Sequence, residues 1–377
     1  MVKNFVKAER FESSWFNRLW VVLLALFFLP AHKCSSDGIF HRGRDAKIIL
    51  HIGPHKTGST HFQGQTLLMA KMLNAAGFCK NGSDNAKMDK YLAAAIKTSS
   101  HHYLDNFYRH CLDSGKRVII SSETFSHFDQ ESQFTALKRF IGNDSFHIVA
   151  VYREPLTRLQ SIHSEIYKKA NGVVRSFHSF VKEYTAVKNS FFYGFVDRYV
   201  QHFGRDYITI LDYYGMEAIG RDVTRVVLCD VADVLCAEPY PSASRFSNER
   251  EDMLPYELFE MVSSFVTEFG CKMAPEIRGA PQLRIIHGYA EAAKHLPTHE
   301  VPYSVLSLLA SVADAQVREK YEDIMLYSNR TATAEALARA KVTEINKSAF
   351  FANRTWTGWL HAEAQRLVRE KVFVRCV

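Results

Sequence analysis

Four short segments of the chain are apolar at almost every position: residues 47–52, 117–121, 146–152 and 207–211. Strands that are buried on both faces of a parallel sheet show such unbroken runs, whereas strands with one exposed face alternate. Between these segments, apolar residues recur at helical spacing over residues 59–76, 86–113 and 131–141. Strands that alternate with helices predict an α/β fold of three layers, in which helices flank both faces of a parallel sheet.

The pattern changes towards the carboxyl terminus. From about residue 245 onward the chain reads as helices and loops, with helical spacing over residues 257–269, 305–326 and 332–345. We therefore expect a helical C-terminal extension, which either covers the sheet or forms a subdomain on the substrate side. Ligands of parallel α/β sheets bind at the carboxyl ends of the strands, so the polar residues that follow the apolar runs are the candidates for function.

An uncharged apolar run near the amino terminus, residues 19–29, follows a segment with a net positive charge. We interpret residues 19–31 as a signal anchor, after a cytoplasmic tail of residues 1–18 and before a polar stem of residues 32–46. A cleaved signal peptide is the alternative, because an apolar core of this length fits both kinds of segment. Under either interpretation the folded domain, residues 47–377, enters the secretory lumen.

Five Asn-X-Ser/Thr acceptor sequences agree with that compartment, and their asparagines are Asn81, Asn143, Asn329, Asn346 and Asn353. The chain has seven cysteines. None of them shows the paired spacing with cysteine or histidine that a zinc site requires. Disulfides fit an oxidising lumen, but their pairing cannot be read from the sequence.

The charge balance is mildly basic, with 47 Lys and Arg residues against 40 Asp and Glu residues and a net charge of +7. The basic residues are not gathered into a run of the kind that binds nucleic acid. A mixed, solvated surface explains this balance. A weak positive field that attracts nucleotides or acidic glycans explains it as well, and composition leaves both interpretations open.

A glycine-rich loop follows the first apolar run. Its sequence, Gly53-Pro-His-Lys-Thr-Gly58-Ser-Thr60, matches the GxxxxGK[ST] pattern of nucleoside triphosphatases at both glycines and at the final threonine. The lysine differs, because Ser59 stands at its usual position and Lys56 lies inside the loop. Backbone amides and the start of the next helix can still hold a phosphate. The loop therefore predicts a phosphorylated nucleotide, while triphosphate hydrolysis loses support.

A lysine inside the loop can reach the bridging oxygen of a shorter leaving group, so the chemistry needs no third phosphate. A sulfuryl group in transfer carries less negative charge than a phosphoryl group and depends less on magnesium. Positioning and fixed positive charge can then supply much of the catalysis. Lys56 is accordingly the first candidate for a catalytic residue.

A second polar motif ends the third apolar run. Arg153 follows residues 146–152, Pro155 suits the first turn of a helix, and Ser161 lies two turns further along. A guanidinium fork and a hydroxyl at the start of a helix suit a phosphate monoester. An ordinary surface pair of an arginine and a glutamate is the alternative.

The two motifs together carry a family resemblance. Residues 51–63, HIGPHKTGSTHFQ, resemble the 5′-phosphosulfate loop of the sulfotransferases that use 3′-phosphoadenosine 5′-phosphosulfate (PAPS). Residues 151–165 resemble the RxPxxRxxS signature of the same family, which holds the 3′-phosphate. The resemblance, to the secretory-pathway and carbohydrate type, covers residues 47–215, and residues 216–377 add no recognised motif.

This resemblance implies a P-loop-type sheet and a donor site that requires no metal. The 5′-phosphosulfate would contact the loop through His55, Lys56, Thr57, Gly58, Ser59 and Thr60. The 3′-phosphate would contact Arg153 and Ser161. Lys56 would also stabilise the leaving phosphate.

Sulfuryl transfer to a hydroxyl needs a general base within hydrogen-bond reach of the acceptor oxygen. Glu123 follows the second apolar run, and the resemblance favours it because many sulfotransferases of the secretory pathway use a glutamate there or nearby. His127 and His61 are the alternatives, since some branches of the family use histidine. A carboxylate at a helix start and a surface histidine are the structural explanations for the same residues.

These features predict a Golgi enzyme, a single-pass type II membrane protein with a lumenal catalytic domain, or a secreted one if the anchor is cleaved. A glycan or glycoprotein is the favoured acceptor, with protein tyrosine, amino sugars and lipid head groups left open. A nucleotide kinase or triphosphatase is one alternative, for which Asp212 is the only loose match to a magnesium aspartate. A catalytically silent glycan-binding protein is the other.

Overall fold

A parallel sheet lies at the centre of the computed structural model, which describes residues 42–80, 89–98, 100, 103–168, 177, 180–181, 194–236, 253–277, 280–300, 304–339 and 343–376. The strands in this part of the chain are β1 (Ile48–His51), β2 (Phe78–Cys79), β3 (Arg117–Ser121), β4 (Phe146–Tyr152), β5 (Ile208–Asp212), β6 (Lys272–Met273), β7 (Thr298–Glu300), β8 (Met325–Leu326), β9 (Thr343–Ile345) and β10 (Phe373–Val374). Six of them form the central sheet in the order β2-β3-β1-β4-β5-β8, and all its neighbours are parallel.

Helices flank this sheet. Those described are α1 (Ser59–Leu68), α2 (Ala70–Ala75), α3 (Asp89–Lys97), α4 (Tyr103–Asp113), α5 (Glu131–Ile141), α6 (Pro155–Lys168), α7 (Gly194–Phe203), α8 (Tyr213–Ala218), α9 (Val223–Arg225), α10 (Leu254–Glu268), α11 (Ala280–Gly288), α12 (Ala290–Ala293), α13 (Ser304–Tyr321), α14 (Arg330–Arg339), α15 (Lys347–Ala352) and α16 (Arg354–Arg369). A π-helix, Val226–Val231, continues α9, and a 3-10 helix, Glu123–His127, follows β3. The predicted three-layer α/β fold is confirmed.

Both faces of the sheet are buried. Along β1, Ile48 and Leu50 belong to the hydrophobic cluster on one face, and Ile49 belongs to the cluster on the other. Residues of α3, α4, α5 and α7 contribute to the first cluster, and residues of α1, α2 and the π-helix contribute to the second. Because successive side chains of a strand point to opposite faces, both sets of side chains are buried, and most of them are apolar. This explains the unbroken apolar runs.

Several helix boundaries differ from the prediction. The helices expected over residues 59–76 and 86–113 are each two helices, α1 with α2 and α3 with α4. Those expected over residues 305–326 and 332–345 end earlier, because β8 and β9 follow them. In strands of two or three residues the pattern of apolar and polar residues is too short to predict a strand, so these strands are identified only by their pairing with a neighbour.

The C-terminal region has a hydrophobic core of its own. Side chains of α10, α11 and α16 pack together around the buried residues Leu258, Ile286 and Leu367. Two antiparallel pairs, β6 with β10 and β7 with β9, belong to the same region. The predicted C-terminal extension is therefore mostly helical, but it also supplies β8 to the central sheet.

Three disulfides supply the pairing that the sequence left open: Cys79–Cys111, Cys229–Cys236 and Cys271–Cys376. The first joins the end of β2 to α4. The third joins the residue before β6 to the chain end after β10, across 105 residues of sequence. The seventh cysteine, Cys34, lies outside the described residues.

The predicted tail, signal anchor and most of the stem also lie outside the described residues, as does Asn81. In the described part of the chain no helix is long and apolar enough to cross a membrane. Among the other acceptor asparagines, Asn143 and Asn353 are exposed, while Asn329 and Asn346 are half-buried.

A buried arginine joins the sheet to the helices beside it. Arg318 of α13 donates to Asp212 at the end of β5 (2.7 Å) and to Asp314 one turn earlier (2.9 Å). It also donates to Thr333 of α14 (2.6 Å), and the Tyr152 hydroxyl at the end of β4 donates to Asp314 (2.5 Å). Only 2% of Arg318 is exposed. The fold tolerates this buried positive charge because the two carboxylates neutralise it and the hydroxyl of Thr333 accepts a further hydrogen bond.

Replacing Arg318 should destabilise the fold strongly. Arg318→Ala leaves buried Asp212 without its counter-charge, so we expect the free energy of unfolding to fall by about 3–5 kcal/mol. Lys320→Ala on the same helix removes an exposed ion pair with Asp197, and its expected cost is below about 1 kcal/mol. Urea unfolding followed by circular dichroism measures both. Equal losses in the two variants would contradict this role for Arg318.

Candidate functional site

The carboxyl ends of β1, β3 and β4 meet at one edge of the sheet, and polar residues follow each strand. The loop of residues 53–58 follows β1, Glu123 follows β3, and Arg153 follows β4. The chain order reverses at β1, since β2 and β3 lie on one side of it and β4 and β5 lie on the other. Ligands of open α/β sheets bind in the crevice at such a reversal.

The loop between β1 and α1 is held by its own hydroxyl groups. Thr57 Oγ1 donates to the carbonyl oxygen of Pro54 (2.6 Å), and Ser59 Oγ donates to the same oxygen (3.3 Å). Both side chains are buried, and the Gly53–Pro54 peptide bond is cis. What Thr57 and Ser59 offer to an anion is therefore their backbone N–H groups.

Gly58 stands immediately before α1 and has a φ of 88°. A side chain at this φ is strained, and a Cβ would also lie 3.4 Å from Val223 Cγ1. No side chain in the described part of the chain caps the start of α1. The first N–H groups of the helix, those of Ser59 and Thr60 among them, are thus available to an anion at the positive end of the helix dipole.

Lys56 lies among carboxylates. Its Nζ contacts the carboxylate of Glu165, a residue of α6. His55 joins Glu165 to Glu123, because its Nε2 is 2.6 Å from Glu165 Oε2 and its Nδ1 is 2.8 Å from Glu123 Oε2. The four side chains are between 15% and 33% exposed. The structure therefore brings together three of the predicted site residues, Lys56, His55 and Glu123, and adds Glu165.

Two arginines of the second motif hold the backbone of the loop. Arg153 Nη1 donates to the carbonyl oxygen of Lys56 (3.0 Å), and Arg158 Nε donates to the carbonyl oxygen of His55 (3.1 Å). The Arg153 guanidinium also lies 5.0 Å from the ring centre of Tyr213. These contacts place positive charge beside the loop, which offsets the two carboxylates.

His51, the last residue of β1, supports the strand ends from inside. Its Nδ1 is 2.8 Å from Ser121 Oγ at the end of β3. Burial lowers the pKa of His51 to about 4, although the charge of Glu123 acts in the opposite direction. The ring is therefore neutral at physiological pH and belongs to the packing between the strands.

The remaining predicted residues have other neighbours. His61 Nε2 is 3.9 Å from Asp222 Oδ2, just before α9, and His127 is exposed at the end of the 3-10 helix. Ser161 Oγ donates to the carbonyl oxygen of Thr157 in its own helix (3.1 Å). Among the candidate bases, Glu123 is bonded directly to the loop, through His55.

Asp212, the loose match to a magnesium aspartate, already forms hydrogen bonds with other residues of the fold. It accepts hydrogen bonds from Arg318 (2.7 Å) and from the backbone N–H of Asn329 (2.8 Å). Burial raises its pKa, against the opposing effect of Arg318. A carboxylate that already compensates a buried arginine is poorly placed to bind magnesium. Within the described ranges, no group of three or more histidine, cysteine or acidic side chains is arranged to hold a metal ion.

Glu165 and Arg158 were not predicted as site residues, although both lie within residues 151–165 of the second motif. Positions 158, 161 and 165 are three and four residues apart, which places them on one face of a helix. Pro155 at the helix start fixes where that spacing begins. The same signal that pointed to Ser161 therefore extends to Glu165, one turn further along α6.

No protein-family model, no curated protein and no solved structure matches this chain. Function is therefore inferred from the site itself. It offers an uncapped helix start, an ammonium group inside the loop, an arginine on the neighbouring strand and a carboxylate bonded to a histidine. This combination can bind an anion and accept a proton in the same crevice.

The neutral state of His51 should make stability depend on pH. The unfolded chain binds a proton on this residue near the ordinary pKa of 6.5, and the folded chain binds it near 4. The stabilisation is therefore complete above pH 6.5 and is lost as the pH falls towards 4. Between pH 7 and pH 5 its contribution should decrease by about 2 kcal/mol.

His51→Gln should remove this part of the pH dependence, as urea unfolding at pH 7 and pH 5 measures. Other groups titrate over the same range, so the comparison with the unchanged protein isolates His51. His110→Gln, which changes an exposed histidine of α4, is the control and should keep the pH dependence of the unchanged protein. An equal loss of stability in all three proteins would show that His51 is charged in the fold.

Proposed function

We propose that this protein is a sulfotransferase that moves the sulfuryl group of PAPS to an acceptor hydroxyl in the secretory lumen. The observation that carries the proposal is the position of Lys56. It lies inside the loop with a φ of 68°, beside carboxylates, whereas the lysine of a triphosphatase follows the second glycine. The hydrogen bond from Arg153 to the Lys56 carbonyl oxygen supports it further, because it joins the two motifs.

The groups around the loop fit both anionic ends of the donor. The N–H groups at the start of α1, with Lys56 Nζ, would hold the 5′-phosphosulfate. Arg153 and Ser161, on the neighbouring strand end and on α6, would hold the 3′-phosphate. Fixed positive charge of this kind stabilises a leaving phosphate without reorganisation during the reaction.

Transfer forms one sulfur–oxygen bond and breaks another. The acceptor oxygen attacks sulfur while its proton passes to the Glu123 carboxylate. The bond between sulfur and the 5′-phosphate oxygen breaks, and its electron pair stays on that oxygen. Lys56 would stabilise the charge that develops there. His55 would hold the Glu123 carboxylate in one orientation through the 2.8 Å contact with its Nδ1.

A nucleotide kinase or triphosphatase has less support. The Ser59 hydroxyl, at the usual lysine position, donates back to the loop, and Asp212 compensates Arg318. The position of the triphosphatase lysine thus holds a serine that is bonded to the loop, and the candidate magnesium aspartate already pairs with an arginine of the fold. A phosphate-binding loop remains, which both enzyme classes share.

A glycan is our proposed acceptor, and the lumenal compartment and the mildly basic net charge that the sequence indicates support it.

A glycan-binding protein without transfer activity is the second candidate, and a cleft in the C-terminal region supports it. The volume of this cleft is about 600 Å³, and its lining includes Trp359, Tyr289, Arg284 and the ion pair of Glu363 with Arg366. Aromatic faces with a few fixed polar groups suit a ring-shaped ligand that also bears charge.

The proposed location is the Golgi membrane, with a single N-terminal span and a lumenal catalytic domain, or secretion if the span is cleaved. The apolar run of residues 19–29 and the acceptor asparagines support it. The three disulfides agree with an oxidising compartment, because disulfide bonds are rare in cytosolic proteins.

Nucleotide binding separates the enzyme classes. We expect the full-length protein to bind adenosine 3′,5′-bisphosphate, the product of the donor, in isothermal titration calorimetry. Arg153→Ala should weaken this binding by about 10- to 100-fold, because a charge-assisted hydrogen bond to phosphate is lost. Tight binding of ATP with magnesium, without binding of the bisphosphate, would contradict the proposal and favour a kinase or triphosphatase.

Sulfuryl transfer is tested with radiolabelled PAPS and a panel of glycan, protein and lipid acceptors. Lys56→Ala should lower the transfer rate by about 100-fold or more, the cost of removing one preorganised group that stabilises transition-state charge. Lys294→Ala, which changes an exposed lysine on the C-terminal region, is the matched control and should keep full activity. Bisphosphate binding without any transfer would favour the glycan-binding protein.

A further inference from the structure

Glu165 is the residue on which the Lys56 and His55 side chains of the loop converge. Lys56 Nζ and His55 Nε2 contact the same oxygen, Oε2. The contact is half-buried, with 17% of the Glu165 side chain exposed and 15% of the Lys56 side chain. A carboxylate that contacts the ammonium group of an anion-binding loop competes with a bound anion for that group.

His55 lies between two carboxylates. Its two ring nitrogens each face one of them, Glu123 at 2.8 Å and Glu165 at 2.6 Å. An ionised carboxylate only accepts hydrogen bonds, so an N–H of the imidazole is the group that donates to it. The ring is thus held between the candidate base and Glu165.

The position of Glu165 is set by the helix that carries it. Buried Glu154 accepts hydrogen bonds from the backbone N–H groups of Leu156 and Thr157 (both 2.8 Å) at the start of α6. Arg158 of the same helix donates to the loop at the His55 carbonyl oxygen. The helix is thus anchored at its beginning and to the loop. Glu165, two turns after Arg158, reaches Lys56 from a fixed support.

An incoming phosphosulfate changes this balance, because it brings negative charge to the loop beside a carboxylate. The ammonium group of Lys56 has three N–H donors, so the phosphosulfate and Glu165 compete for its positive charge. His55 has no such conflict, since it can keep both of its carboxylates while the anion binds to the helix start and to the ammonium group.

We propose that Glu165 is a positioning residue of the sulfuryl transfer. It holds Lys56 and His55 in the free protein and gives up Lys56 to the phosphosulfate. It keeps His55 in place while the acceptor proton passes to Glu123 and the leaving phosphate oxygen receives the electron pair of the broken bond. This inference rests on the proposed function. It predicts that Glu165 weakens donor binding and increases the rate of the chemical step.

The test is whether replacing Glu165 tightens donor binding and at the same time lowers the rate of transfer. Glu165→Gln removes the competing charge, so the protein should bind adenosine 3′,5′-bisphosphate about 5- to 10-fold more tightly in isothermal titration calorimetry. With PAPS and the acceptor that the transfer panel identifies, the KM for PAPS should fall by a similar factor. The kcat should fall about 10-fold, because Lys56 and His55 lose their support.

Two further variants separate charge from geometry. Glu165→Asp keeps the charge on a shorter side chain, so it should lower kcat without tightening the binding of the bisphosphate. Glu291→Gln removes a carboxylate from an exposed pair with Lys294 (2.6 Å), and it should change neither quantity. A loss of packing alone would weaken binding and rate together and would lower the thermal unfolding midpoint of both Glu165 variants.

Each outcome decides the inference. Unchanged or weaker bisphosphate binding by Glu165→Gln, at an unchanged unfolding midpoint, overturns the role of Glu165 and leaves the proposed function intact. If Glu165→Gln does not fold, Glu165→Asp decides instead, and an unchanged kcat overturns the proposal. Failure of the unsubstituted protein to bind the bisphosphate removes the proposed function, and the role of Glu165 with it.

Discussion

The parallel pairing of β1 between β3 and β4 is the constraint on which the site depends. In register, the last residue of β1, His51, lies opposite Ser121 at the end of β3 and opposite Val149 of β4, which continues three residues further to Tyr152. The loop after β1 then meets Arg153, although Lys56 and Arg153 are 97 residues apart in sequence. The apolar residues that bury both faces of the sheet thus also determine where the charged groups meet.

Two networks of charged side chains at this edge of the sheet differ in how far they are buried. Asp212 and Arg318, at the end of β5, are buried and satisfy each other, which makes them part of the fold. The second network joins Lys56 and His55 of the loop to Glu123 after β3 and to Glu165 of α6, and its side chains are partly exposed. A reaction that binds an anion and removes a proton needs both signs of charge in one crevice. The second network presents both signs where a ligand can reach them.

The sequence predicted those features of the fold and of the site that follow from a local pattern of residues. The four long strands, the loop and the meeting of Lys56, Glu123 and Arg153 follow from apolar runs and from the rule that ligands bind at strand ends. Strands β2 and β8 and the disulfide pairing depend on contacts between distant segments, which no local pattern records. Glu165 was within reach of the helical spacing, but its partner Lys56 could be identified only once α6 and the loop were placed together.

A crystal structure of the protein with adenosine 3′,5′-bisphosphate tests the proposed donor site most directly. We expect the 5′-phosphate at the start of α1, within hydrogen-bond distance of Lys56 Nζ and of the backbone N–H groups of Ser59 and Thr60. We expect the 3′-phosphate at the Arg153 guanidinium. A nucleotide bound away from the loop, or bound with its 3′-phosphate in solvent and Lys56 still on Glu165, would contradict the proposed donor site.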